Sequence, residues 1–134
     1  MIVDNRYWAG LFDGEGSIYI ARDLTRMTVS LTQKETAVLY LLKARFGGAL
    51  GLMKKQNCYR WVLCGSDQIS EFLKAIAPFS IIKAVEIQVA IELCERFKFR
   101  QKGRPLADDE RNVRYALREK LMADRKEAKQ EVLA

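Results

Sequence analysis

The chain has 134 residues, 49% of them hydrophobic, with 23 Lys and Arg against 17 Asp and Glu and no histidine. That makes one domain able to bury a core without a disulfide staple; histidine-based catalysis is disfavoured, as is structural zinc, because Cys58, Cys64 and Cys94 are odd in number and lack CxxC spacing. No apolar run reaches membrane-spanning length, and Asp4, Asn5 and Arg6 stand where a signal peptide would be apolar, so the reading is a soluble intracellular protein whose net charge of +6 suits a polyanionic partner without requiring one.

In chain order, the first predicted element is a helix from about Asn5 or Arg6 through WAGLFDGEGS, residues 8–17. It sets Ala9, Gly10, Asp13 and Gly14 three or four positions apart on one surface almost bare of side chain. Each interior glycine costs about 1 kcal/mol against alanine, which calls for a compensation such as another backbone packing very close, and a second helix is the natural candidate. Asp13 and Glu15 lie where the helix carbonyls carry partial negative charge. A cation offsets that strain, and Mg²⁺, bound through one or two carboxylates plus water and phosphate, fits. Without its flanks, Gly-Glu-Gly is an ordinary turn.

SIYIARD then alternates Ile18 and Ile20 against Ser17, Tyr19 and Ala21, the period of a half-buried strand. A turn near Asp23 to Thr25 leads into RMTVSLTQ, with Met27, Val29 and Leu31 on one face and Arg26, Thr28, Ser30 and Thr32 on the other. Glu35 to Phe46 reads as a helix stopped by Gly47 and Gly48. A second hairpin follows, roughly Ala49 to Lys55 and Cys58 to Cys64, with Tyr59, Trp61 and Leu63 inward and Arg60 and Val62 outward. Ser66 or Asp67 caps a helix that runs to Ala77 and ends at Pro78, and a longer helix spans about Lys83 to Phe97.

Arg96, Lys98, Arg100, Lys102 and Arg104 alternate through ERFKFRQKGRP, a pattern that either grips phosphates or forms a solvated basic loop. Residues 108–134 read as a charged helix with seven basic and seven acidic side chains and sparse apolar positions at Val113, Leu117, Leu121 and Val132, predicting light packing on the domain. The fold class is α+β in the order αββαββα. One four-stranded antiparallel sheet carries helices on its apolar face and leaves its polar face open. The whole chain, 1–134, is one domain, with its core in about 5–100 and a helical extension in about 105–134.

WAGLFDGEGS resembles the motif of the LAGLIDADG homing endonucleases, with Trp8 at the first position and Glu15 at the last acidic one. The resemblance implies a saddle-shaped sheet over duplex DNA and motif helices of two half-molecules side by side, with Trp8, Ala9, Gly10, Phe12, Asp13 and Gly14 in that interface. It implies that Glu15, one methylene longer than the usual Asp, binds divalent metal at the scissile phosphate, and that Asp13 assists the metal or caps a helix end. Gln33 matches a polar position near the metal, and Lys83, after PFSII, matches a lysine that reaches the scissile phosphate. The family's further basic residue has no match; Lys34 and Arg60 are the candidates.

The implied DNA readers are Tyr19, Asp23, Arg26, Thr28, Ser30, Lys54, Lys55 and Arg60. A single motif implies a homodimer that hydrolyses double-stranded DNA at a palindromic or near-palindromic target. The implied cofactor is Mg²⁺, with Mn²⁺ substituting and Ca²⁺ binding without supporting cleavage. An RNA-splicing maturase or a DNA-binding regulator that has lost cutting is the alternative, and a scaffold whose Gly-rich helix merely dimerises is a third reading.

Overall fold

The computed structural model describes residues 3–98 and 105–133, with the side chains of residues 126–133 left aside. Helix α1, Asn5–Glu15, begins where the Asp4 carboxylate accepts a hydrogen bond from the Arg6 N–H at 2.8 Å. It passes with no linker into strand β1, Gly16–Ile20, which turns back as β2, Met27–Gln33. Helix α2, Thr36–Phe46, precedes the second hairpin of β3, Ala49–Met53, and β4, Cys58–Cys64. Helix α3, Ser66–Ile76, tightens into a 3₁₀ turn over Ala77–Phe79, and α4, Ala84–Phe97, and α5, Asp108–Leu133, complete the chain. No described helix is long and apolar enough to cross a membrane.

The sheet order is β1-β2-β4-β3, antiparallel throughout, so the second strands of the two hairpins meet at the centre. Ile18, Ile20, Val29, Leu31, Trp61 and Leu63 point from one face into the helices and are all but fully buried. Phe72 of α3 is the hub of that core. Its ring meets those of Phe12, Phe46 and Trp61 edge-on with centroids 5.4, 4.9 and 5.2 Å apart, the geometry aromatic quadrupoles favour. The second strand pair ends sooner than expected, at Met53, and Lys54 and Lys55 lie in the turn. Tyr59, expected inward, is half-exposed because it pairs with Gln33 and Leu52 at the sheet end, and Leu52 is itself exposed.

Three expected interface residues belong to this core instead. Trp8, Ala9 and Phe12 are 2%, 0% and 0% exposed, so they face their own sheet and α3 and offer nothing to a partner. Phe12 also explains a glycine: a Cβ on Gly16 would fall 2.1 Å from its ring, so only Gly lets β1 leave the helix this tightly.

The C-terminal helix is more deeply seated than its charge pattern predicts. Arg114 and Leu121 are each 1% exposed. Two residues of the basic stretch before it, Arg96 and Lys98, also pair within the chain. Arg96 pairs with Glu110 at 3.1 Å, and Lys98 pairs with Glu95 at 3.3 Å and Asp67 at 3.6 Å, which corrects the phosphate-gripping expectation for these two; Arg100, Lys102 and Arg104 lie outside the described residues.

Candidate functional site

The end of α1 and the start of α4 hold each other through opposite charges. Asp13 is 9% exposed, and its two oxygens accept four hydrogen bonds: from the Ser80 hydroxyl, from the N–H of Ile81 at 2.8 Å, and from those of Ile82 and Lys83 at 3.2 Å each. In return the Lys83 ammonium donates to the Asp13 carbonyl at 2.7 Å. Each contact sits at a favourable pole, an anion beside the N-terminus of α4 and a cation at the C-terminus of α1. Burial alone would raise the Asp13 pKa, but the donors from Ile81, Ser80, Lys83 and Ile82 outweigh it and hold the carboxyl below the usual range.

This arrangement separates the two motif acids. With both oxygens engaged by four protein donors, Asp13 has no lone pair directed at a cation, so its assignment as a metal ligand gives way to the cap that the sequence left open. What it caps, however, is neither its own helix nor α4 but the Ser80–Lys83 turn that leads into α4. Glu15, two residues on, is exposed and forms no ion pair with a described residue. Among the described residues no three His, Cys, Asp or Glu side chains converge on one point. That donor set fits a hard divalent cation that takes one carboxylate from this chain and its other oxygens from water and phosphate, and does not fit an all-protein cage.

Gln33 is half-buried and its Oε1 accepts from the Lys34 N–H at 3.0 Å. It stands two residues past Leu31, the cross-strand partner of Gly16, and therefore at the same end of the sheet as Glu15. Lys34 is exposed beside it, and Arg60 comes to this end from β4, opposite Thr32. Glu15, Gln33 and the two candidate basic residues thus lie toward one end of the sheet, with Gln33 in phase with the core-facing Leu31 and Arg60 with the open face, while Lys83 is held at the C-terminal end of α1 by Asp13.

That face is a polar array. Its cross-strand rows run Tyr19, Thr28, Cys64; then Ser17, Ser30, Val62; then Thr32 and Arg60. Tyr19 is 56% exposed and Thr28 partly so, whereas Ser30 is overshadowed at 8% and offers little to a ligand. Arg26, Lys54 and Lys55 are exposed at the hairpin ends. Asp23 accepts from the Thr25 hydroxyl at 2.7 Å and N–H at 3.2 Å, so its carboxylate shapes the turn. Ser17 and Thr32 share this face in phase with the expected readers. Ser80, which completes the hold on Asp13, carries no local signal in the sequence.

Residues 3–77 match the model of the LAGLIDADG-like domain. The chain belongs to the LAGLIDADG family. Its α1 carries the family motif, and the αββαββ order around it is the family fold. Among solved structures, it is similar to the archaeal intron-encoded homing endonuclease I-Vdi141I complexed with DNA, at TM-score 0.70 and 24% identity over 90% of this chain and 82% of that one. It is also similar to the meganuclease I-SmaMI bound to uncleavable DNA, at TM-score 0.68 and 17% identity over 87% of this chain but only 44% of that one. A third likeness is to the homing endonuclease I-CvuI in complex with a DNA target in the presence of Mg, at TM-score 0.55 and 14% identity over 87% of this chain and 93% of that one. No curated protein matches the chain.

Proposed function

We propose that the protein is a site-specific double-stranded DNA endonuclease that works as a homodimer with a divalent metal. The observation that carries this reading is the division of the two motif acids, Asp13 bonded to the Ser80–Lys83 turn and to Lys83, and Glu15 exposed without an ion pair to a described residue where α1 meets the sheet. A twisted antiparallel ribbon with such a face fits the major groove. Family membership and the DNA-bound state of I-Vdi141I and I-SmaMI support the substrate class.

Glu15 would hold the metal, which when bound neutralises phosphate charge and activates water for phosphodiester hydrolysis. Mg²⁺ is the expected ion, with Mn²⁺ substituting. The I-CvuI complexes solved in the presence of 2 mM Mg, with DNA not cleaved, and of 2 mM Ca are consistent with divalent-metal use in this family. Lys83, whose ammonium is held on the Asp13 carbonyl two residues before Glu15, would steady developing negative charge or order the attacking water. Gln33 orients water or substrate from the strand end, and Lys34 or Arg60 supplies further positive charge.

Dimerisation is read from α1. A Cβ built on Gly10 or Gly14 meets nothing within 4 Å, so the bare stripe faces outward, where a second copy of the helix could approach backbone to backbone. Ile81 and Ile82 on the clamped turn, 85% and 66% exposed, add apolar surface beside it. The interface therefore rests on Gly10, Gly14 and this ridge. Two copies related by a twofold axis read a near-palindromic target.

The test is incubation with a randomised duplex library, first with Ca²⁺ to capture bound sites and then with Mg²⁺ to cut them, for wild type and Glu15→Gln. Near-palindromic sites bound by both and cut only by wild type are expected. Sites bound but uncut by wild type would make the protein a regulator or a maturase, and no enrichment would overturn nucleic-acid recognition.

A further inference from the structure

β1 is an edge strand, and α5 holds it by its backbone. The Ala21 N–H donates to the Arg26 carbonyl at 3.0 Å, and Ile20 pairs with Met27. In an antiparallel ladder this directs the main-chain groups of Tyr19 and Ala21 toward β2 and those of Ile18 and Ile20 toward the free edge. Those two outward carbonyls are taken by α5: Arg118 donates to Ile20 at 3.4 Å and Arg125 to Ile18. A third arginine reaches the turn beyond. Arg114 donates to the Leu24 carbonyl at 2.9 Å and the Arg96 carbonyl at 3.0 Å, and its Nε binds Glu110 at 3.0 Å.

The three arginines form one device. At 3.6 residues per turn, positions 114, 118 and 125 fall within about 40° of one another on α5, and they meet Leu24, Ile20 and Ile18 in reverse chain order. Guanidinium suits the task because its rigid fork donates to several acceptors at once and never loses its charge. Leu24 shows that the turn is held and not merely covered. Its φ is 61°, a left-handed conformation that a residue with a side chain keeps only when its surroundings impose it. Arg125 is fixed in turn by Glu86, 5% exposed, at 3.0 Å.

Tyr19, on the open face, lies between the two gripped carbonyls, and Arg22 and Arg26 flank the gripped turn. We propose that Arg114, Arg118 and Arg125 are positioning residues that set where the β1–β2 hairpin presents its side chains to DNA, so that α5 tunes sequence discrimination by that half of the sheet. The inference rests on the DNA-binding reading above.

The test uses the full chain with Arg118→Gln and Arg125→Lys combined, and the single Arg118→Lys variant should the pair fail to fold. Two readouts apply. Amide exchange measured by mass spectrometry is expected to quicken in residues 17–26 and to stay unchanged in residues 49–64. Duplexes selected from the randomised library with Ca²⁺ are expected to lose about tenfold in base preference at the positions that Tyr19→Ala or Arg26→Ala also blurs. They should keep it at the positions that Arg60→Ala blurs. Enrichment with a uniform loss of preference, or with none, overturns the inference and leaves the endonuclease reading standing. Absence of any enriched duplex for wild type overturns the DNA reading and this inference with it.

Discussion

Asp13 and Glu15 are two residues apart in one motif, yet the fold gives them separate tasks. The Asp13 carboxylate holds the Ser80–Lys83 turn by charge-assisted bonds, each worth more than a neutral one. Asp13→Asn keeps the shape but has one acceptor oxygen instead of two and sets an NH₂ against N–H donors. It is expected to cost about 2 kcal/mol in denaturant unfolding. Its Mg²⁺-dependent cutting should slow by at least about tenfold, while Ca²⁺ affinity in the DNA complex stays within about twofold, because the lysine and not the metal has lost its mount. Among the cysteines, Cys94 is buried, and that burial, with the neighbouring Glu95 charge, pushes its thiol up to about 11. Exposed Cys64 is expected to take a maleimide first at neutral pH, and Cys94 only after unfolding, as read by intact mass.

Between elements, the bonds that matter join distant parts of the chain. Glu110 sits below the ordinary glutamate range, chiefly through its bond to Arg114 and against its own desolvation, with the Arg96 charge adding to the effect. A lowered carboxyl stabilises the fold above its unfolded pKa and loses that contribution as pH falls through the folded value. The melting temperature of Glu110→Gln is therefore expected below that of wild type at neutral pH. The gap should close as acid takes the pH under about 4. Helices and strands were legible because apolar periods of two and of three to four mark them directly, and their bounds moved by a residue or two. The seating of α5 was not: hydropathy treats arginine as solvent-facing, whereas Arg114 is buried with its donors on carbonyls. Nor does an apolar helix face state which of its residues meet the chain's own core, as Trp8 and Phe12 do, and which meet a partner. Asp13 was legible as a functional acid, but its donors lie 67 to 70 residues away, and only the tertiary fold brings them to it.

As a whole molecule the protein presents two unpartnered surfaces at right places for one task, the bare α1 stripe and the polar sheet face. Gly10→Leu adds a side chain where another backbone would lie. It is expected to convert the proposed dimer to monomer in light scattering, with the fold intact, since among the described residues nothing outside the helix's own backbone stands within 4 Å of the new Cβ. In the proposed DNA complex the exposed hairpin lysines would belong to the electrostatic part of binding. If Lys54 meets a phosphate, Lys54→Ala in a dimer removes two such contacts, and the slope of log Kd against log salt is expected to fall by roughly 1.8.

Helix α1 ends at Glu15 and β1 begins at Gly16, so the acid stands on the peptide that joins the proposed axis of assembly to the proposed surface of recognition. No hinge isolates it. A retargeted strand that alters its twist will drag the acid with it, and a repacked helix pair will shift the strand. In such a molecule affinity for a new site and speed of cutting it are coupled mechanically, and redesign has to vary the hairpin and the helix crossing together.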